Sequence, residues 1–244
     1  MKRQKIRFGI LLISLLLFPI IIWYFSPYLI ILGAMEHIVN GSFIVFGILL
    51  LSSLFLGRGF CGYLCPISGL QECAKYANDR QPKQGWRNNV KYVIFVLWIA
   101  VIILCYILGK GEMKIDFLYM TDHGISISQI GGYIIYYGII ILMLVPSLLF
   151  GKRIPCHYYC WIAPFMVIGS KIGQALHLPQ LHIRTEKDNC IECKKCNQKC
   201  PMSLDVQSMV KNGYIGSTEC IQCGECVDTC PKKVLGYSMK GRRP

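Results

Sequence analysis

Long apolar runs alternate with short polar connections over the first 150 residues of the chain. Four runs, at about residues 8–32, 38–56, 90–108 and 130–150, are long enough to cross a bilayer, since about 30 Å of hydrocarbon takes about 20 helical residues. From about residue 180 the sequence becomes polar and rich in cysteine. The pattern predicts an α-helical membrane protein with four transmembrane helices in residues 1–179 and a small soluble domain in residues 180–244.

The first apolar run follows the basic segment MKRQKIR, as the core of a secretory signal peptide also would. The run is longer than the usual signal core, and no small-residue cleavage site follows it, so we expect a retained helix. Another segment, WIAPFMVIGSKIGQALHLP, follows the fourth run and predicts a short interfacial helix that ends at Pro179.

The composition also favours a membrane location. Only 16% of the 244 residues are charged, against about 25% in a typical soluble domain, and 54% are hydrophobic. Lys and Arg number 26 against 13 for Asp and Glu, which in a soluble protein would suggest nucleic-acid binding. In a membrane protein the same excess reports orientation, because Lys and Arg concentrate in cytoplasmic loops. We therefore expect no nucleic-acid partner.

The basic residues predict which side of the membrane each connection faces. The connections between the first and second runs and between the third and fourth runs contain only two basic residues, Lys110 and Lys114. By the positive-inside rule, the chain is a multi-pass protein of a prokaryotic cytoplasmic (inner) membrane, with both termini and the cysteine-rich domain in the cytoplasm. Disulfides are rarely kept there, so the cysteines are better explained by metal binding. The basic residues on the predicted cytoplasmic side are Lys2, Arg3, Lys5, Arg7, Arg58, Lys75, Arg80, Lys83, Arg87, Lys91, Lys152 and Arg153.

The cysteine-rich tail contains one motif twice. CIECKKCNQKCP and CIQCGECVDTCP share the spacing Cys-x2-Cys-x2-Cys-x3-Cys-Pro, and the second copy follows the first at an offset of 30 residues. Bacterial two-cluster ferredoxins have this pattern, and the fourth cysteine of each run binds the other run's cluster. A pair of zinc sites is the alternative, but zinc rarely requires two identical four-cysteine runs that end in Cys-Pro.

The motif predicts an α+β two-cluster ferredoxin-like domain that holds two 4Fe–4S clusters. The ligands would be Cys190, Cys193, Cys196 and Cys230 for the first cluster, and Cys220, Cys223, Cys226 and Cys200 for the second.

A second repeated motif lies at the ends of the second and fourth apolar runs. SLFLGRGFCGYLCPISG and SLLFGKRIPCHYYCWIAPF each contain Ser-Leu, a glycine with basic residues, and Cys-x3-Cys. Cys156 and Cys160 follow Cys61 and Cys65 at a constant offset of 95 residues. The four runs are therefore interpreted as two two-helix repeats, a common architecture of membrane proteins. If the repeats pack about a pseudo-twofold axis, the four thiols converge and form a candidate third metal centre.

Thiolates at such a site suit a third iron–sulfur cluster, and these soft ligands would also accept copper(I) or zinc. The alternative is that the four cysteines are small apolar residues in packed helix ends, where free cysteine is common. Two pairs with the same spacing favour ligand binding. The lone Cys105 is expected to pack inside the third run, and Cys73 is an ambiguous extra ligand that is better explained as buried filler.

Together the motifs resemble one known family. Two Cys-x3-Cys motifs at span ends and a carboxy-terminal double ferredoxin run are similar to membrane ferredoxins of the NapH and MauN type, which are related to the membrane parts of NosR and CcoG. The segments FSPYLIILGAMEHIVNGSF and TDHGISIS also look like family segments, so the resemblance covers nearly the whole chain. In that family both motifs are Cys-x3-Cys-Pro, whereas here Trp161 follows the second pair. The resemblance implies electron transfer between a quinone pool or cytoplasmic donor and a partner redox protein.

Histidines and carboxylates on the sparse outer side suggest where a quinone would bind. His37 lies beside Glu36, and His123 beside Asp122. Because quinol oxidation releases protons with its electrons, such groups at a membrane edge form a candidate site for menaquinone or ubiquinone. Ordinary loop residues at an interface are the alternative. The sequence has no glycine-rich phosphate loop, nucleophile triad or paired carboxylates, so it predicts no nucleotide site and no catalytic residue.

We therefore expect a membrane-embedded iron–sulfur electron-transfer subunit, a component of an oxidoreductase such as a quinol dehydrogenase rather than a stand-alone enzyme. The alternative is an assembly factor whose clusters reduce a metal such as copper for delivery to another redox enzyme. The two hypotheses differ in the electron acceptor, which is a quinone or redox protein in the first and copper(II) in the second.

Overall fold

The computed structural model describes residues 2–82, 85–109, 111–211 and 213–239, and shows a mainly helical chain. Lys83 and Lys110, which entered the prediction of sidedness, lie outside these described residues. The α-helices are α1 (Lys2–Leu16), α2 (Phe18–Ile21), α3 (Pro27–Met35), α4 (Gly41–Leu56), α5 (Gly59–Tyr63), α6 (Pro66–Ala77), α7 (Val90–Leu108), α8 (Ile130–Phe150), α9 (Ile154–Tyr158), α10 (Ile162–Ala175), α11 (Lys195–Lys199), α12 (Val206–Lys211) and α13 (Glu225–Thr229). The strands are β1 (Ile38–Asn40), β2 (Lys114–Asp116), β3 (His182–Thr185) and β4 (Leu235–Ser238), and single 3₁₀ turns cover Ile22–Phe25, Trp86–Asn89 and Lys187–Asn189.

Two of the four predicted spans are confirmed as helices that could cross a membrane. Trp86–Leu108, which contains α7, and Ile130–Phe150, which is α8, are long and apolar enough to do so. Most of their side chains are not buried inside the protein. Apolar surface of this extent is expected where lipid covers a helix.

The first predicted span is not one continuous helix. α1 ends at Leu16, and the chain bends by 58° before the stretch Phe18–Phe25. Pro19 lies in the first turn of α2, where its missing N–H and its clash with the preceding residue stop α1 from continuing. The prediction of a single helix over residues 8–32 is therefore wrong. The bent pair is still long and apolar enough to form one broken span.

The second predicted span is shorter than expected. Residues 38–40 form β1, which pairs in parallel with β2, and the Asn40 side chain accepts a hydrogen bond from Phe43 N at 2.9 Å. This cap starts the helix at Gly41 rather than Ile38. α4 therefore has 16 residues. Such a helix is about 24 Å long, which is less than about 30 Å of hydrocarbon.

Close helix contacts surround the predicted membrane cysteine motifs. α4 packs along α10, and α6 packs against both α1 and α8. A Cβ atom on Gly169 would lie 2.6 Å from the carbonyl oxygen of Leu50, so the approach of α10 to α4 requires glycine there. Ile162 and Met166 of α10 are 3% and 0% exposed. The expected interfacial helix is thus a core helix, because its apolar side chains pack on α4.

The tail forms a small α+β unit with two equivalent cysteine loops. β3 and β4 pair antiparallel. In the loops, Glu192 and Gln222 have φ angles of 54° and 57°, and Lys194 and Gly224 have φ angles of 56° and 73°. Each loop then enters a five-residue helix, α11 or α13. The 30-residue sequence repeat is therefore also a repeat of backbone conformation.

The tail and the helices before it share one hydrophobic core. Met202 and Ile221 of the tail belong to the same buried cluster as Phe46 of α4 and Met166 of α10. Gln180, at the junction, is 3% exposed, and its side-chain amide donates a hydrogen bond to the Leu54 carbonyl oxygen at 3.1 Å. The tail is therefore packed onto the rest of the chain along its junction.

The contact between α4 and α10 predicts different effects for two helical glycines. Gly169→Ala should lower the free energy of unfolding, because the new Cβ would overlap the backbone of Leu50 and overpacking costs about 1–3 kcal/mol. Gly47→Ala in α4 is the matched control, since no described atom lies within 4 Å of its Cβ position. Alanine's better helix propensity should stabilise that variant by up to about 1 kcal/mol. Thermal unfolding in detergent compares them, and equal melting temperatures would contradict the contact.

Candidate metal centres

Four tail cysteines line one cleft. Cys190, Cys193 and Cys196 come from the first loop, and Cys230 ends the second run. Cys193 is exposed and the other three are partly buried. Apolar side chains such as Leu235 complete the lining. The structure thus brings together the four thiols that the sequence assigns to the first cluster, including the one from the other run.

The remaining four tail cysteines form a more buried group. Cys200 and Cys223 are 8% and 7% exposed. Burial raises the pKa of the Cys223 thiol to about 12, and Cys200 and Cys220 add to the rise. Burial also raises the pKa of Cys226 well above its usual value, again with contributions from the other three thiols. The four thiols are therefore neighbours, and Cys200 lies with the second run.

The two Cys-x3-Cys pairs have the same local structure. Each first cysteine lies on a five-residue helix, Cys61 on α5 and Cys156 on α9. Each second cysteine follows the end of its helix. Its backbone N–H donates to the carbonyl oxygen five residues earlier, at 3.0 Å for Cys65 and 2.8 Å for Cys160. The offset of 95 residues therefore holds for the backbone as well as for the sequence.

These two pairs converge. Cys61, Cys65 and Cys156 are 8%, 6% and 8% exposed. Burial raises the pKa of Cys65 well above its usual value, and Cys61, Cys160 and Cys156 raise it further. Burial likewise raises the pKa of Cys160 to about 12, with contributions from Cys156 and Cys61. All four thiols thus share one buried neighbourhood, although they come from sequence segments far apart.

Within the described residues, the arrangement of the thiol groups differs from that of a single-ion site. Among the described residues, no three His, Cys, Asp or Glu side chains are arranged to hold a single metal ion. A single zinc ion would need each thiolate at about 2.3 Å. A four-iron cluster instead binds each thiolate to a different iron, and so accepts a wider ring. Each of the three cysteine groups supplies the four thiols that such a cluster requires.

Two buried arginines lie beside the membrane thiols at equivalent positions. Arg58 precedes α5 and Arg153 precedes α9, and each is 1% exposed. Burial opposes the charge of Arg58, but Glu219 and the thiols of Cys61 and Cys156 raise its pKa. Within the described residues, neither arginine has a hydrogen-bond partner for its Nε–H. Buried donors of this kind fit an anionic iron–sulfur cluster, whose sulfurs would accept their hydrogen bonds.

The second tail loop lies directly against the first membrane pair. Gly62 sits between Cys61 and Cys65, and a Cβ atom at this position would lie 2.2 Å from the carbonyl oxygen of Ile221. The same atom would lie 3.6 Å from the backbone nitrogen of Cys223. Only glycine permits this approach. The second tail group and the membrane group are therefore joined by backbone contact.

Ion pairs hold the tail in this position through three acidic residues, one directly before the second run and two within it. Burial would raise the pKa of Glu219, but Arg58 and Lys91 more than offset this and lower it to about 2. All three acids bind basic residues that precede the tail: Asp228 binds Arg3 at 2.6 Å, Glu225 binds Arg7 at 3.0 Å and Lys75 at 3.1 Å, and Glu219 binds Arg58 and, at 2.7 Å, Lys91.

Glu72 connects this network to the second membrane pair. It is 5% exposed on α6 and binds Arg7 at 3.0 Å and Arg153 at 2.5 Å. Burial would raise the pKa of Glu72, but the two guanidinium groups lower it to about 2, so the carboxylate is ionised at neutral pH. Glu72 and the arginines were not among the site residues predicted from the sequence. The equal spacing of Arg58 and Arg153, 95 residues apart like the cysteines, is a sequence signal for these two arginines.

The predicted quinone-side residues do not form one site. His37 lines an apolar pocket of about 350 Å³, with its ring 4.6 Å from that of Tyr106. Glu36 instead accepts a hydrogen bond from the Tyr119 hydroxyl at 2.9 Å. The His123 side chain is 98% exposed and lies 3.8 Å from the Asp122 carboxylate. Neither Asp122 nor His123 lines the pocket, because both lie in a separate exposed turn.

Two cysteines and one buried histidine lie outside the three cysteine groups. Cys73 is partly buried, and burial together with Glu72 raises its pKa. Cys105 lies within α7 and is also partly buried. His157 is 3% exposed next to Cys156, and burial lowers its pKa to about 3, so its imidazole is neutral.

Two family models match parts of the chain. One described as a 4Fe-4S dicluster domain matches residues 182–231, and one described as a 4Fe-4S binding domain matches residues 41–87. The first range contains all eight tail cysteines, and the second contains Cys61, Cys65 and Cys73. These matches confirm the predicted iron–sulfur, ferredoxin-type character of the chain.

Similar curated proteins come from archaea and bacteria. Uncharacterized protein MJ0750 of Methanocaldococcus jannaschii is 27% identical over 168 residues, which are 65% of this chain and 65% of that protein. The putative electron transport protein YccM of Escherichia coli is 23% identical over 195 residues, 75% of this chain and 52% of YccM. Protein NirI of Paracoccus denitrificans is 25% identical over 165 residues, 65% of this chain and 23% of NirI. The chain thus spans less than two-thirds of MJ0750 and about half of YccM. No solved structure gives a significant match.

Removing the charge of Glu72 should destabilise the protein. Glu72→Gln leaves Arg153 buried without its counter-charge, and removing one partner of a buried pair costs about 3–5 kcal/mol. Glu186→Gln is the matched control, because its pair with Arg184 is exposed and such pairs contribute about 0–1 kcal/mol. Denaturant unfolding at neutral pH compares them. Similar small decreases in the free energy of unfolding of both variants would show that the Glu72 charge does not stabilise the buried arginines.

Proposed function

We propose that this protein is a membrane-bound iron–sulfur electron-transfer subunit with three 4Fe–4S clusters. The observation that carries the proposal is the convergence of four membrane thiols directly beside the second cysteine loop of the tail. The 4Fe-4S family matches support the cofactor, and the name of YccM, a putative electron transport protein, supports the role.

The proposed ligands follow the three groups of thiols. The first tail group and the second tail group each take their fourth ligand from the other run, and the membrane group takes two ligands from each Cys-x3-Cys pair. The sets are Cys190, Cys193, Cys196 and Cys230; Cys220, Cys223, Cys226 and Cys200; and Cys61, Cys65, Cys156 and Cys160.

A 4Fe–4S cluster, when bound, takes up or releases one electron at a time. The residues of this chain would keep the second tail site and the membrane site close together and away from water. Gly62 lets the backbone of the second tail loop touch the membrane pair, so no side chain intervenes at that point. Arg58 and Arg153 supply buried positive charge beside the membrane thiols. Such charge offsets the negative charge of a thiolate-bound cluster and sets its potential.

The membrane arrangement that we propose has two repeats. α4, which precedes the first cysteine pair, packs on α10, which follows the second pair. In the same way, α8, which precedes the second pair, packs on α6, which follows the first. This reciprocal packing supports two two-helix repeats in residues 1–179, with the bent first run and the short α4 as irregular spans. The distribution of Lys and Arg supports a multi-pass protein of a prokaryotic inner membrane, with the ferredoxin-like residues 180–244 and both termini in the cytoplasm.

The residues on the predicted outer side favour a quinone as the partner in the membrane. The pocket beside His37 is apolar, and His37 Nε2 is buried without a hydrogen-bond partner among the described residues. A menaquinone or ubiquinone ring would fit apolar walls with one polar group at the edge. The similarity to NapH and MauN agrees with this role. At the cytoplasmic end, the electron partner would be another redox protein.

Copper reduction for enzyme assembly is the second candidate function. The four converging thiols favour it, because soft ligands bind copper(I). Reconstituted protein that reduces copper(II) but exchanges no electrons with a menaquinol analogue would support this function over the quinone-linked one.

Iron analysis tests the membrane cluster. Anaerobically reconstituted protein should contain about 12 irons per chain, four for each site. The double variant Cys61→Ser, Cys156→Ser should fall to about eight irons and lose one EPR signal of the reduced protein, because only the membrane site loses ligands.

The matched control for this experiment is Cys105→Ser, which removes a thiol from α7. It should retain the full iron content. A content of about eight irons in the unaltered protein, or unchanged iron and EPR signals in the double variant, would contradict the third cluster.

A further inference from the structure

The two cysteine loops of the tail have the same backbone and opposite surroundings. Residues 221–224 of the second loop are all buried, whereas residues 191–195 of the first are all exposed. Ile221 is 2% exposed, and Ile191, its equivalent 30 residues earlier, is 57% exposed. The helices that precede the tail, in residues 1–179, cover the second loop. Within the described residues, no comparable surface covers the first.

The two copies also differ in charge at equivalent positions. The second copy carries Glu225 and Asp228, which bind cations of α1 and α6. Thirty residues earlier, the first copy has Lys195 and Gln198. The docked copy is thus acidic and lies on a basic surface, whereas the uncovered copy is basic. The same backbone unit would therefore bind an acidic surface through its first loop.

The exposed rim of the first cysteine cleft is called here the basic loop surface. The only acid within this loop, Glu192, is already paired with Lys211 at 2.8 Å. The ion pairs of the described residues include none of the three lysines of the surface. Its members are Ile191, Cys193, Lys194, Lys195 and Lys232.

We propose that the basic loop surface docks an acidic, soluble electron-carrier protein, which exchanges one electron with the chain at the first cysteine group. The proposal rests on the proposed function, because it requires a cluster there. In the reducing direction the carrier loses one electron and the chain gains it, with no bond broken and no proton transferred. Opposite charges steer such encounters, and the apolar side chain of Ile191 gives the contact a non-polar centre.

Stopped-flow reduction of the reconstituted full chain by a reduced, acidic plant-type 2Fe–2S ferredoxin tests the proposal. Lys194→Glu, Lys195→Glu and Lys232→Glu together should slow the second-order rate at least about tenfold at low ionic strength. Added salt should slow the unaltered protein but speed the variant, because it screens attraction in one and repulsion in the other. Changing the same lysines to arginine is the matched control and should preserve the rate.

A neutral reductant separates docking from cluster chemistry. Photoreduced 5-deazariboflavin should reduce the unaltered protein and both variants at equal rates. Equal ferredoxin rates in all three proteins, with normal reduction by the deazaflavin, would overturn the docking proposal and leave the proposed function intact. An unaltered protein that carries iron but accepts electrons from neither reductant would overturn both.

Discussion

Buried positive charge is the constraint on which the rest of this structure depends. Arg7, Arg58 and Arg153 are each at most 2% exposed, and an unpaired ion in such surroundings costs several kilocalories per mole. Their partners are Glu72 of α6 and the tail residues Glu219 and Glu225. Two of these three acids come from the tail, so the helices before the tail bury their arginines fully only when the tail is bound. Charge compensation therefore fixes the position of the tail, and apolar packing around Ile221 completes the interface.

Because the tail packs on the preceding helices through its acidic second copy, its two similar cysteine loops have different surroundings. The two cysteine loops of the tail have left-handed residues at equivalent positions, so these φ angles do not distinguish one loop from the other. Binding through the second loop places that loop against Gly62 and the membrane thiols, while the first loop stays at the surface. The three cysteine groups then follow one another from the membrane pairs to the solvent. Such an order suits transfer between a membrane component and a soluble partner better than storage of electrons in one place.

Sequence patterns predicted the parts that depend on short-range spacing. The 30-residue and 95-residue offsets reappear as repeated backbone conformations, and α7 and α8 are long enough to follow from hydropathy alone. The predicted helix over the first apolar run was too long, because the prediction followed hydropathy and ignored Pro19. A proline inside such a run is itself a helix-breaking signal. The pairing of Glu72 with Arg7 and Arg153 could not be predicted, since it joins three segments far apart in the chain and leaves no periodic trace. The burial of one cysteine loop and the exposure of the other could not be predicted for the same reason, since they depend on contacts between distant segments.

Amide hydrogen exchange of the two cysteine loops in one reconstituted protein tests this account most directly. Cluster binding would protect both loops alike, so the repeat supplies its own control, and any difference between the loops reports docking. The account predicts that the amides of residues 220–224 exchange at least about tenfold more slowly than those of residues 190–194. Equal exchange in the two loops would contradict the claim that the tail is held to the membrane part through its second copy.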